Sequence, residues 1–441
     1  MNNILEATLQ IKDKNIIWDN NVQEKIKNRK SLFYSATYTH KPEFCAVCGC
    51  VSQNNNIVKN GTKTSRITLC SVSGIPAYLN LRKQRFLCRE CGSSFTADTS
   101  RIVEKYCHIS KRLKNEIKAK ISETVSETVS ETYIAKETNV SIHTVRRIID
   151  DTARLLTIKP LHDLPEHLCF DEFKSVKSSD SNMSFIICDS TTHKLVDVVR
   201  DRKSYSLKQY FYRFEPETRL KVKTISIDMY LPYIQLIKEM FLNAKIIIDP
   251  FHIVQALNRE LNRTRVRIMN QHRYKNPKLY RKLKHYWKLI LKNPNELQNY
   301  KYNRHKLFES FITSKGIVDY ILEKNPSLKN DYEVVHSLRE CIQDRDYIEF
   351  KETIEAAMQL DLSPGLKRVL KTLMTYLPYI QNTCEYPTRT NGPIEGINNK
   401  IKVLKRNAYG FRNYYHFRNR IILITKMFGP KQKGIKQQLV A

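Results

Sequence analysis

The chain has 441 residues, 41% of them hydrophobic and 10% aromatic, and its 75 Lys and Arg against 44 Asp and Glu leave a formal charge of +31. At about 150 residues per core this length implies a multidomain protein, and the apolar and aromatic content excludes a disordered chain. The basic excess points to a polyanionic partner; nucleic acid fits because each phosphate contact releases condensed counterions, although a basic ribosomal-type or membrane-surface protein would share that balance.

No apolar run approaches the roughly 18 to 20 residues of a spanning helix, and Met1 to Gln10 lacks a signal-peptide core. The expectation is a cytoplasmic, nucleoid-associated protein with no membrane partner. Of its eleven cysteines, four stand in two Cys-x-x-Cys pairs, which suggests metal rather than disulfides.

Residues 1–100 read as a zinc-binding domain, a zinc ribbon. Cys45 and Cys48 precede Gly49, and Cys88 and Cys91 precede Gly92; the glycine after each pair permits the tight turn that aims backbone amides at the sulfurs. The 39 residues between the pairs exceed the usual spacing of about 15 to 20. Arg66 to Leu69 and Ala77 to Leu81, joined around Gly74-Ile75-Pro76, supply strands of an extended ribbon. Four thiolates predict one structural zinc on Cys45, Cys48, Cys88 and Cys91, with Cys50 and Cys70 as bystanders.

Residues 101–160 read as a helix-turn-helix DNA-binding domain. The repeat Ser122-Glu-Thr-Val, Ser126-Glu-Thr-Val, Ser130-Glu-Thr-Tyr places Ile121, Val125, Val129 and Tyr133 four apart on one helix face. A short helix at Ala135, a turn through Thr138-Asn139-Val140 and an N-cap at Ser141 follow, with Val145, Ile148 and Ile149 inward. The second helix presents Ile142, His143, Arg146 and Arg147 outward near its start, where recognition helices meet base edges; an ordinary three-helix packing unit with a basic face is the alternative.

Residues 161–254 change to short apolar runs ending in carboxylates. Leu168 to Asp171, Phe185 to Asp189 and Leu195 to Val199 predict three strands, followed by a helix over Ser206 to Arg213, a strand over Val222 to Ile227, a helix over Pro232 to Leu242 and a strand over Lys245 to Ile248. Three meander strands, then strand, helix and strand, give the order of a ribonuclease-H-like domain. Residues 255–385 predict an all-helical basic insertion; Arg259 to Lys306 carries fifteen Lys or Arg against Glu260 and Glu296, interleaved with tyrosines. That stretch suits a phosphate backbone or a solvated basic face about equally. Residues 386–430 return to the catalytic domain as C-terminal helices, and 431–441 form a tail.

Phosphodiester cleavage at neutral pH needs an activated oxygen nucleophile and a stabilised leaving oxyanion, which two magnesium ions held by converging carboxylates supply. The first and fourth strands of such a sheet lie about 4.8 Å apart, so Asp171 and Asp228 at their ends can share metal. Asp249 ends the fifth strand, about 10 Å from the first, and is the competitor of Asp228. Glu395 sits in the first turn of a helix starting at Gly392-Pro393, with Asn398, Asn399, Lys402 and Arg406 continuing a polar face.

The two cysteine pairs, Phe170-Asp171-Glu172-Phe173, Ser226-Ile-Asp228-Met229, Ile248-Asp249-Pro-Phe-His252 and Asn391-Gly-Pro-Ile-Glu395-Gly-x-Asn398 resemble the ISL-three family of insertion-sequence transposases over Cys45 to Ile424. The resemblance implies a DDE triad of Asp171, Asp228 and Glu395 holding two magnesium ions, zinc in the N-terminal module, and a helical insertion before Glu395. It further implies double-stranded DNA partners, namely terminal inverted repeats and target, and a homodimer or higher oligomer on DNA. His143, Arg146 and Arg147 would read the repeat, while Lys402, Lys405 and Arg406 would neutralise the strand. A non-catalytic regulator derived from such an enzyme and a structure-specific nuclease are the alternatives, and His252 is expected to position DNA or cap its helix.

Overall fold

The computed structural model describes residues 2–19, 22–26, 30–122, 130–157, 162–179, 182–408 and 410–427. Val125 and Val129 of the repeat, the Lys159-Pro160 junction and the 431–441 tail lie outside the described residues. The chain divides into two units, Met1–Thr157 with Asn399–Ala441, and Ile158–Asn398.

The first unit opens with α1 (Asn2–Leu9), β1 (Ile16–Trp18), β2 (Gln23–Ile26), β3 (Lys30–Tyr38), β4 (Ile57–Thr68), β5 (Ala77–Cys88) and β6 (Ser94–Thr96). One sheet runs β1-β3-β5-β4, with β2 paired to β3 and β6 to β5. The expected ribbon is thus the β4–β5 hairpin, reversing at Ser73-Gly74, both with positive φ. What the sequence reading lacked is β1 to β3 and the parallel β3–β5 pairing, which turn the ribbon into a six-stranded sheet. Alternation along β5 buries Ala77, Leu79 and Leu81 against Trp18, Tyr34 and Ile67.

Three helices follow: α2 (Lys111–Ser122), α3 (Glu131–Glu137) and α4 (Ile142–Leu156). Ser141 caps α4, its Oγ accepting from the Thr144 amide at 3.2 Å, and Val145, Ile148 and Ile149 are buried with Leu113, Ile117 and Ile134.

The second unit is built on β7 (His167–Lys174), β8 (Met183–Asp189), β9 (Leu195–Val199), α5 (Ser204–Phe211), α6 (Pro216–Leu220), β10 (Thr224–Ile227), α7 (Leu231–Met240) and β11 (Lys245–Ile248). Its sheet order is β11-β10-β7-β8-β9; β7, β8 and β9 are antiparallel in turn, whereas β10 is parallel to both β7 and β11. These strands are nearly continuous apolar runs because the sheet is buried on both faces. Phe170 and Phe185 pack edge-on at 5.0 Å, with Phe211 of α5 and Tyr233 of α7 against them.

Helices α8 (Pro250–Lys275), α9 (Pro277–His285) and α10 (Trp287–Leu291) come next, then β12 (Asn303–Arg304), β13 (Phe311–Ile312), α11 (Ser314–Glu323), α12 (Pro326–Asp344), α13 (Tyr347–Ala357) and α14 (Pro364–Glu385). The insertion is therefore not all helical: β12 and β13 pair as a ribbon whose two-residue strands are too short to leave a periodicity. Helix α14 covers the open edge of β11, with Asn382 Nδ2 donating to the Ile246 carbonyl at 2.8 Å and Thr383 Oγ1 bonding both the amide and the carbonyl of Ile248.

Helix α15 (Gly392–Asn407) contains the boundary between the units, and α16 (Tyr414–Ile422) belongs to the first. The segment read as 386–430 is thus divided at Asn399; within the first unit, Leu423 joins the core of Leu113, Ile117 and Val145.

Candidate functional site

In the second unit, strand register sets the carboxylates. Ser226 of β10 pairs with Cys169 of β7, and Ile227 pairs with Ile248 of β11. Two further steps along β10 bring Asp228 level with Asp171, and one step brings it level with Asp249, so three aspartates stand at one level of three adjacent strands. Asp171 does not end its strand, because β7 continues to Lys174 against β8; it lies two residues past Cys169, where pairing with β10 stops. Just beyond it, Glu172 accepts from Arg202 Nη1 at 2.6 Å and Tyr233 Oη at 3.0 Å, which fixes the strand behind the carboxylate.

Ligand atoms of Asp228, Asp249 and His252 lie within 4.8 Å of one another, and His252 Nε2 is 2.9 Å from Asp228 Oδ1. By strand order Asp249 is expected to be the more distant carboxylate, and His252 to position DNA or cap its helix. In the structure Asp249 itself caps α8, accepting from the Phe251 amide at 3.2 Å, and His252 faces Asp228. Asp171 and Glu395 are not members of that group.

Two asparagines bracket Glu395. Asn391 Nδ2 donates to Asp228 Oδ1 at 3.2 Å and to the Phe170 carbonyl at 3.2 Å, and Asn398 Nδ2 donates to Asp171 Oδ2 at 2.8 Å. Glu395 is four residues after one and three before the other, so it shares their face. It is exposed, and its carboxylate has no hydrogen-bond or ion-pair partner among the described residues. The approach to α15 is pinned to the strand ends by Ser226 Oγ on the Arg389 carbonyl at 3.2 Å and Cys169 Sγ on the Thr390 carbonyl at 3.3 Å. These tethers escaped the sequence reading; Asn391 and Asn398 had only their place in the motif and on the helix face to mark them.

The electrostatics describe a site short of positive charge. Burial, and then the neighbouring Asp228 carboxylate, push the Asp171 carboxyl up to about 7. Asp249 is raised first by burial, with Asp228 adding to it. Burial opposes charge on His252, but the hydrogen bond and charge of Asp228, with Asp249 and Asp171, outweigh it and raise the imidazole. The Oδ1 atoms of Asn391 and Asn398 are buried without partners among the described residues. Converging carboxylates and orphaned amide oxygens form an oxygen-rich donor set that fits a hard divalent cation such as magnesium.

In the first unit, Sγ atoms of Cys45, Cys48, Cys50 and Cys88 lie within 4.8 Å of one another. Cys45 is 3.8 Å from Cys91, Cys48 is 3.9 Å from Cys88, and Cys50 is 3.4 Å from Cys88. Thiolates at about 2.3 Å from one zinc stand about 3.8 Å apart along the edges of a tetrahedron, so the cluster fits zinc. Gly49 and Gly92 have φ of +76° and +68°, the left-handed turns expected after each pair, and the Val47 amide points at Cys45 Sγ at 3.4 Å. Hydrogen bonds from the Ser93 side chain and backbone pull the Cys91 thiol down to about 6, toward its ligating form. Cys50, expected as a bystander, is one of the four thiols of that group, whereas Cys91 stands beside it at 3.8 Å from Cys45 and Cys70 is not in the group.

Also in the first unit, His143, Arg146 and Arg147 are exposed on the first turns of α4, although Arg146 Nε is held by Glu131 at 3.1 Å. Lys402 and Arg406 are exposed on α15, and Lys405 lies 6.0 Å from the Phe417 ring centroid. Among the described residues, no helix is long and apolar enough to cross a membrane.

Residues 168–421 match a family model described as "Transposase", of the DDE, ISL-three type, and residues 41–91 match the zinc-finger of transposase IS204/IS1001/IS1096/IS1165. The chain is 24% identical over 384 residues to the transposase for insertion sequence element IS1001 of Bordetella parapertussis, covering 86% of this chain and 88% of that one. It is also 38% identical over 112 residues to a protein of Lactococcus lactis subsp. lactis called an ATP-dependent protease, covering 25% of this chain and 35% of that protein.

Proposed function

The chain belongs to the ISL-three family of transposases, and on that premise we propose that it binds the terminal inverted repeats of an insertion sequence, cleaves at the element's ends and joins them to target DNA. The observation that carries this reading is the asparagine bracket, in which the residues on either side of Glu395 in the chain, Asn391 and Asn398, bond Asp228 and Asp171. The sheet order of the second unit supports reading it as a ribonuclease-H-like domain, in which Asp171, Asp228 and Glu395 would hold two magnesium ions. When bound, magnesium supplies an activated oxygen nucleophile and charge compensation for the leaving oxyanion. The chain's own part is orientation: Asn391 and Asn398 fix the rotamers of Asp228 and Asp171, and the Arg389–Asn391 strap fixes the helix that carries Glu395. Freed 3′ hydroxyl and target phosphodiester would use the same site in turn.

In the first unit the α3–α4 pair would act as a helix-turn-helix, with His143, Arg146 and Arg147 toward base edges, zinc would hold the cysteine ribbon, and Lys402, Lys405 and Arg406 would neutralise phosphates. Two element ends must meet, so a dimer or larger assembly on DNA, in the cytoplasm at the nucleoid, completes the proposal.

Purified protein, magnesium and a supercoiled plasmid carrying the element's ends provide the test. Cleavage with joining is expected; cleavage without joining would mark a nuclease, and binding with neither a regulator. The closeness of Asp249 and His252 to Asp228 favours one second reading, in which Asp249 takes the place of Asp228 as a ligand. Asp228→Ala and Asp249→Ala separate the two: the first should abolish cleavage, and the second should leave it measurable. The reverse pattern in folded protein would move the metal to the fifth strand.

A further inference from the structure

Between α3, α4 and α16, all in the first unit, lies a cavity of about 580 Å³ whose Arg412 and Arg420 have no part in the proposed chemistry. Its size falls in the usual range for small-ligand sites, about 300 to 1,000 Å³. Four cationic or protonatable side chains line it, Arg146, Arg412, His416 and Arg420, together with the carboxylates Glu131 and Asp150.

The carboxylates are already engaged. Glu131 takes Arg146 Nε at 3.1 Å and, through its other oxygen, His416 Nε2. Asp150 Oδ1 accepts from Asn419 Nδ2 at 2.7 Å and lies 3.5 Å from His416 Nδ1. The Arg420 side chain is 2% exposed, and its Nε and Nη1 are buried with no hydrogen-bond partner among the described residues. Arg412 is exposed at the same cavity without an ion-pair partner among them. A buried guanidinium with unsatisfied donors is costly unless something supplies oxygens, and a phosphate does so in the matching planar geometry.

We propose that this cavity is a phosphate-binding site in which Arg420 and Arg412 hold the anion. Two sources share that chemistry, a backbone phosphate of DNA lying along α4 and free phosphate or a phosphate monoester. The DNA source is favoured because Ile142, Arg146 and Asp150 of α4 line the same cavity; that preference rests on the DNA-binding reading above, whereas the anion site does not.

The test uses the full-length protein with inorganic phosphate as probe, comparing its thermal midpoint in phosphate and chloride at equal ionic strength and reading phosphate binding directly by calorimetry. Wild type should bind phosphate, and Arg412→Gln should weaken it by about tenfold or more, the loss of one charge-assisted hydrogen bond. Arg420→Gln should abolish binding; because that change at a buried site can prevent folding, Arg420→Lys serves as the second variant and should bind more weakly while remaining folded. If the source is DNA, Arg412→Gln also lowers the slope of log affinity against log salt by about 0.9 on duplex DNA. Phosphate binding lost with an unchanged slope identifies free phosphate as the ligand. Absence of phosphate binding in wild type, or equal binding in all variants, overturns the proposal, and neither result bears on cleavage in the plasmid assay.

Discussion

Asp171 is held where its charged form is opposed by burial and by Asp228, so folding without metal favours its protonated form. Its folded-state value of about 7 lies above the ordinary 3.8, and the folded chain therefore keeps a proton that the unfolded chain gives up between those values. Stability from this group is present at low pH and lost as pH rises toward 7. In chelator, the denaturant midpoint of wild type relative to Asp171→Asn should fall across that window, and added magnesium should remove the fall; parallel curves would mean that Asp171 does not titrate there. At the cysteine cluster, Cys45→Ser and Cys88→Ser should each release zinc, measured by elemental analysis of freshly purified protein. The discriminating pair is Cys50→Ser and Cys91→Ser. With Cys91 the fourth ligand, Cys50→Ser keeps a full equivalent, whereas zinc lost from Cys50→Ser and retained in Cys91→Ser assigns the site to Cys50. The Cys-x-x-Cys pairs were legible because a knuckle is written in adjacent residues. The place of Cys50 was not, since its 3.4 Å approach to Cys88 depends on how the chain folds between them.

Legibility at the level of elements followed length and locality. Helix α4 was visible from its cap, its inward Val145, Ile148 and Ile149 and its basic first turns, and the strands of the second unit from apolar runs bounded by turns. The three-residue β1, the polar β2 and the two-residue β12 and β13 give no such pattern; they exist because distant partners complete their hydrogen bonds. The asparagine bracket is of the same kind, since Asn398 and Asp171 are 227 residues apart. Helix α4 carries a prediction that its structure sharpens. Arg146 is tied to Glu131, so reading a base requires exchanging that ion pair for a groove contact. Arg146→Ala should reduce preference for the terminal repeat over random DNA by about 1 to 3 kcal/mol in competition binding. Equal losses on both DNAs would make Arg146 a phosphate contact, and no loss on either would leave it a structural partner of Glu131.

Across the whole molecule, the charge of +31 is distributed so that part of it serves packing. In the basic stretch from Arg259 to Lys306, Arg265 is buried and donates to the Leu283 carbonyl at 2.9 Å, and Lys282 lies 4.0 Å from the Phe308 ring centroid and 4.1 Å from that of Tyr320. Composition alone could not separate these inward cations from the exposed Lys275, Lys278, Lys284 and Lys288, nor the buried Tyr286 from the exposed Tyr274, Tyr300 and Tyr302. Only the exposed set is available to a phosphate backbone, and its contribution is electrostatic rather than sequence-reading. Replacing Lys275, Lys278, Lys284 and Lys288 together with Gln should leave the fold intact, because these side chains are exposed. The slope of log affinity against log salt on duplex DNA should then fall by up to about 3.6, at about 0.9 for each phosphate no longer neutralised. Preference for the terminal repeat should stay as in wild type, since specific and random DNA are weakened equally. An unchanged slope would place this face away from DNA and make the basic stretch a solvated surface, whereas a selective loss on the terminal repeat would mean that these helices read sequence.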